Sequence, residues 1–119
     1  GAHHWQLWSQ MEVEDDDVVL DKHRFSAFTP GTSELPALLK ADGIDTVIIS
    51  GTLTNCCCES TARDAMQHNY RVIMAADANA ALSDEEHAAT LHILGLVFAD
   101  LRSVDELEGM LAIETAEAA

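Results

Sequence analysis

Thr46-Val-Ile-Ile-Ser50 is a continuous apolar run that passes through Gly51 and a Thr-Leu-Thr-Asn turn straight into a helical pattern. Unbroken hydrophobicity over so few residues marks a strand buried on both faces, the habit of parallel sheets. Parallel neighbours can be reached only through crossovers, usually helices lying on the sheet. The rest of the chain fits that demand. Val18 to Asp21 reads as a short buried strand ending at Lys22, Arg71 to Ala76 as another, and Leu101 to Ser103 as a last one. Between them, Ser33 caps a helix with Leu35, Leu38 and Leu39 on its inner face, ended by Asp42-Gly43. A second helix runs from Asn55 to His68. Ser83-Asp-Glu-Glu86 and Ser103-Val-Asp-Glu106 are capping-box patterns opening helices to Phe98 and Leu111. The tail Glu114 to Ala119 is small and acidic and is expected to fray. The predicted order, β-α-β-α-β-α-β-α, is an open, doubly wound parallel sheet with helices on both faces, in one domain over residues 1–119.

A chain of 119 residues can bury roughly two-thirds of its unfolded surface, enough for one core. The net charge of −15, from 21 acids against 6 bases, repels phosphate backbones and argues against a nucleic-acid partner. It reads as a solubilising surface, such as a saline habitat favours. No apolar run reaches the length of a membrane span, and Gly1-Ala-His-His-Trp has no basic and apolar leader pattern. Three contiguous cysteines, an odd number, make no disulfide framework and point to reduced thiols in a cytoplasm. Glu14-Asp-Asp-Asp17 reads as a solvated turn before a strand. Trp5 and Trp8 could share a helical face, and the adjacent His3-His4 pair is weak evidence for metal.

Ligands of open α/β sheets bind beyond the carboxyl ends of the strands. Lys22 and the cysteine run Cys56-Cys57-Cys58 both fall there. A thiol at a strand-to-helix junction lies at the positive end of a helix, where the thiolate is favoured. Successive helical residues point about 100° apart, so only one of the three can aim into a given site. The plain alternative is that all three are small buried hydrophobes. Their contiguity does not suit zinc, and His68, His87 and His92 form no ligand constellation, the last two being five apart. No metal and no cofactor are expected.

The run Gly51-Thr-Leu-Thr-Asn-Cys-Cys-Cys-Glu-Ser-Thr-Ala-Arg-Asp-Ala65 resembles the isochorismatase-like cysteine hydrolases. So do Val18-Val-Leu-Asp-Lys-His-Arg-Phe-Ser-Ala-Phe28, Tyr70 to Ala81 and His87-Ala-Ala-Thr-Leu91, in the family's order. The resemblance implies a catalytic aspartate, lysine and cysteine, the lysine at Lys22 and the nucleophile at Cys57. It implies an oxyanion hole from the backbone N–H groups of Leu53 and Cys57, and a cis peptide at Thr52–Leu53. The aspartate belongs to a first strand near the family's N-terminus, a segment these residues do not contain, so the chain reads as an N-terminally truncated member. Nicotinamidases of the family bind zinc through an Asp/His cluster in the same missing region. Phe25, Phe28, Thr54 and Asn55 are candidates for the pocket wall.

The implied activity is hydrolysis of a C–N bond in a small amide or carbamoyl compound through a covalent thioester. Vinyl-ether hydrolysis is the second enzymatic reading, and Cys57 favours the amide class, since true isochorismatases need no cysteine there. A third reading is a catalytically impaired relative serving as a binding or assembly module. Loss of a central strand would expose unpaired backbone groups, so a homo-oligomer, most simply a dimer, is expected.

Overall fold

A computed structural model of the protein describes residues 6–118, the last five of these by their backbone alone. The readings of Gly1 to Trp5, including His3-His4 and the Trp5–Trp8 pair, lie outside the described residues. The elements in order are α1 (Leu35–Ala41), β1 (Thr46–Thr52), a π-helical turn (Thr54–Cys58), α2 (Glu59–Gln67), β2 (Arg71–Ala80), α3 (Asp84–Val97), β3 (Asp100–Arg102) and α4 (Val104–Ala118). The three strands form one parallel sheet in the order β1-β2-β3, with Thr46 opposite Arg71 and Ile73 opposite Asp100.

Several helix ends follow the sequence signals, but α1 is capped at Glu34 and not at Ser33, whose hydroxyl accepts from the Leu35 amide. After α1, Gly43 takes φ +67°, and the amides of Gly43 and Ile44 return to the carbonyls of Lys40 and Leu39. That paired closure needs a left-handed residue, which glycine supplies without strain. Asn69, at φ +70°, does the same after α2, its amide bonding Met66 and that of Tyr70 bonding Ala65. The Ser83 hydroxyl accepts from the Glu86 amide at the start of α3. At α4 the box closes in both directions, Ser103 Oγ accepting from the Glu106 amide and Glu106 Oε1 from the Ser103 amide.

The core lies between the sheet and the helices. Val72 and Met74, alternate residues on one face of β2, pack with Ala62 and Ala65 of α2, Leu94 of α3, Cys58 and Phe28. Ala62 and Ala65 are completely buried, so their small side chains set how closely α2 approaches β2. Phe28 anchors the preceding loop in this core, stacked on His68 and tilted against Tyr70.

Several boundaries depart from the sequence reading: β1 runs past Ser50 to Thr52, β3 sits one residue earlier, and four others depart further. Val18 to Asp21 is not a strand: the segment is coil, with Val18 67% and Val19 63% exposed. An apolar run becomes a strand only where a ladder partner satisfies its backbone, and none lies alongside it among the described residues. The acidic turn before it does form, the Asp17 amide bonding the Glu14 carbonyl and the Asp17 carboxylate the Glu14 amide. β2 runs on to Ala80 through a break in register between Ile49 and Gly51. Asn79 fills that break, donating to the carbonyls of Ile49 (3.1 Å) and Ala75 (2.6 Å). Asp77-Ala78-Asn79 are poor strand formers, so alternation could not extend the strand. The helix read from Asn55 begins instead as a π-helical turn. Lastly, α4 continues through the acidic tail to Ala118, as the helix propensity of alanine and glutamate permits.

Candidate active site

β1 ends at Thr52, and the next peptide, Thr52–Leu53, is cis. Gly51 leads into it at φ +118°, a conformation that side chains rarely adopt. The chain then coils into the π-helical turn. The Leu53 carbonyl accepts from the amides of both Cys56 (3.1 Å) and Cys58 (3.2 Å), and the Thr54 carbonyl accepts from Glu59. Single π-helical turns are uncommon and recur at functional sites. Cys58 is turned into the core, whereas Cys56 and Cys57 are half-buried.

A cavity of about 420 Å³ opens beside the turn, lined by Lys22, His23, Arg24, Phe25 and Cys57. Lys22 and Cys57, far apart in sequence, therefore meet at one opening. No strand end carries Lys22. Its loop is held by Phe28 in the core, by the Ala27 amide donating to Thr61 Oγ1 of α2 (3.1 Å), and by the Ser26 hydroxyl accepting from the Phe28 amide. Lys22 Nζ donates to the carbonyls of Arg24 (2.6 Å) and Phe25 (3.2 Å), which folds residues 22–25 into a tight arc. A larger cavity of about 540 Å³, between Val19–Asp21 and Gly31–Glu34, contains no nucleophilic thiol. The chemistry therefore points to the smaller one.

The flanking thiols are pushed up from the ordinary cysteine range. For Cys56 the causes in order are burial, the negative charge of Cys57 and a hydrogen bond with it; for Cys58 they are burial and the same charge. The Lys22 ammonium opposes both shifts without overcoming them.

The remaining candidates divide. Phe25 walls the cavity, 67% exposed at its rim. Phe28 is instead a core residue, 2% exposed. Thr54 is fully buried, its hydroxyl 2.8 Å from His87 Nδ1 on α3, and so cannot face a ligand from the cavity wall. Asn55 is exposed within the turn. His23 and Arg24 line the cavity unforeseen, although their place next to Lys22 was a signal. The His87–Thr54 contact spans 33 residues and leaves no trace in spacing. Among the described residues no three His, Cys, Asp or Glu side chains gather into a metal-binding group, and no helix is long and apolar enough to cross a membrane.

Comparison with known proteins identifies the family. Residues 1–106 match the model of the isochorismatase domain. Nicotinamidase 3 of Arabidopsis thaliana is 38% identical over 102 residues, covering 86% of this chain and 50% of that protein. A ureidoacrylate amidohydrolase of Variovorax paradoxus is 32% identical over 117 residues, covering 98% of this chain and 46% of the other. The crystal structure of an isochorismatase-like hydrolase from Alkaliphilus metalliredigens superposes with a TM-score of 0.83 at 32% identity, over 89% of this chain and 57% of that one. This chain thus spans about half the length of the curated relatives it matches. By its sequence, its parallel sheet and its thiol-bearing turn, the chain belongs to the isochorismatase family of hydrolases.

Proposed function

We propose that this chain carries the nucleophilic half of a cysteine hydrolase acting on the C–N bond of a small amide or carbamoyl compound. The observation behind it is the single cavity lined by both Lys22 and Cys57. Relatives named nicotinamidase and ureidoacrylate amidohydrolase support the amide class. In this reading the Cys57 thiolate adds to the carbonyl carbon, and the developing oxyanion is met by the N–H groups of Leu53 and Cys57. The Lys22 ammonium favours the thiolate and the negative charge that forms. The C–N bond then breaks, the nitrogen leaves as ammonia or an amine with the proton that the thiol gave up on ionising, and a thioester (a thiocarbamate, from a carbamoyl substrate) remains on Sγ. Water attacks that thioester, releasing the carboxylic acid (or a carbamate, from a carbamoyl substrate) and restoring the thiol.

Among the described residues no carboxylate lines the cavity. Asp15 to Asp17 sit in the turn upstream of the Lys22 loop and are weak substitutes for the family's aspartate. General acid–base assistance is worth about 10²–10⁴-fold, so these residues alone are expected to turn over slowly. The same gap favours the second reading, a catalytically impaired relative that binds or assembles. Ammonia release from a panel of small amides and carbamoyl compounds separates the two. Slow release abolished by Cys57→Ala supports hydrolysis; release unaltered by that substitution overturns it; saturable binding without release supports the module.

The chain is further proposed to pair as a homodimer. β1 is an edge of the sheet among the described residues, and Ile44 (40%) and Ile48 (44%) stand exposed along it. An uncovered edge with apolar neighbours favours pairing with another copy.

A further inference from the structure

Thr54 opens the turn that carries the three thiols, and it is the polar side chain there that water cannot reach, being fully buried. A buried hydroxyl without a partner is costly, so its bond decides where the residue settles. That bond goes to His87 Nδ1 at 2.8 Å, across to α3, which packs directly on the turn. His87 is itself fixed: it lies four residues after Ser83, whose hydroxyl holds the start of α3, and its own amide bonds the Ser83 carbonyl. The opposite end of the turn depends on the same residue, since the Thr54 carbonyl accepts from Glu59. Cys57 rides on the arc between those two anchors. A wide π-helical turn that includes a non-helical residue, Asn55 at φ −90° and ψ 15°, depends on outside contacts for its shape.

We propose that His87 is a positioning residue for the thiol turn, holding Thr54 so that Cys57, and not its neighbours, faces the Lys22 cavity. The proposal rests on the reading of Cys57 as nucleophile. His87 is not among the residues that line the cavity, and the hydrogen bond that ties it to the turn is the one to Thr54.

The test is sparse, single-hit alkylation of the folded chain with iodoacetamide, the label assigned among Cys56, Cys57 and Cys58 by peptide fragmentation. In His87→Ala and in Thr54→Val the Cys57 share should fall about tenfold, as small displacements of a reacting group do. Thr54→Ser, which keeps the hydroxyl, should restore the wild-type share. The double substitution should do no more than either single one, because both break one contact. A Cys57 share within about twofold of wild type in both single variants, or effects that multiply in the double, overturns the proposal. Should the variants fail to fold, ring ¹⁵N resonances of His87 in the wild type decide. One pinned form supports the contact, and the averaged tautomers of a free imidazole overturn it. If Cys57 is not the fastest thiol in the wild type, the nucleophile assignment fails by itself. The distribution of label across the three still reports whether the turn depends on His87.

Discussion

Cys56 and Cys58 hold their protons above the ordinary thiol range, Cys58 chiefly through burial, while Lys22 pulls both the other way. Cys57 shares an open cavity with that lysine. Near neutral pH, alkylation is therefore expected at Cys57 first, with Cys56 and Cys58 joining only as the pH climbs past the usual cysteine range. Lys22→Ala should raise the flanking thiols further and slow Cys57. Rate–pH curves resolved by peptide mapping check both statements. Faster labelling of Cys58, or curves for Lys22→Ala that superimpose on wild type, would count against the site. At this scale the pairing of Lys22 with Cys57 was legible, because both stood in recognisable runs. The place of Thr54 was not: whether a threonine after a strand faces a cavity or a half-buried histidine depends on how α3 packs, and that is a tertiary fact.

The secondary elements owe their ends to short polar signals more than to their apolar faces. Ser83 opens α3 ahead of three acids in the first turn, a placement the helix dipole favours. Ser83→Ala should cost about 1 kcal/mol, read as a lower urea midpoint with an unchanged slope. At α4 the Glu106 carboxylate is held below the usual carboxylate range, first by the Ser103 amide and then by Arg102. A carboxyl with a depressed folded value stabilises above its unfolded value, and that contribution is lost as the pH falls through the folded one. Glu106→Gln should thus be less stable than wild type at neutral pH, the two converging in acid. Denaturant midpoints across that range show it, and a gap that persists at low pH would contradict the linkage. These boxes could be read from the sequence because their donors and acceptors are three residues apart. The run Val18 to Asp21 could not be read correctly. Whether such a segment becomes a strand is settled by a neighbour, and its hydrophobicity alone misled. The extension of β2 to Ala80 escaped for the complementary reason: Asn79 supplies side-chain bonds where the regular ladder breaks.

For the molecule as a whole, the acidic surface opposes the pairing proposed at the β1 edge. A net charge of −15 keeps copies apart at low salt, while the pairing proposed at β1, the sheet edge among the described residues, beside exposed Ile44 and Ile48, would draw them together. A homodimer is the expected balance, strengthened as added salt screens the charge. Solution mass at micromolar concentration across a salt series tests it, and a monomer at every salt level would remove the assembly claim. The anchored loop that brings Lys22 to the cavity of Cys57 does not depend on that outcome, and it carries the central claim that Cys57 is an acyl-accepting nucleophile. The most direct measurement is the intact mass of the chain after incubation with an activated small ester or amide, with the adduct mapped by fragmentation. A single acyl group on Cys57, lost in Cys57→Ser and diminished in Lys22→Ala, is the result predicted. An unmodified chain, or an acyl group on Cys56 or Cys58, would contradict it.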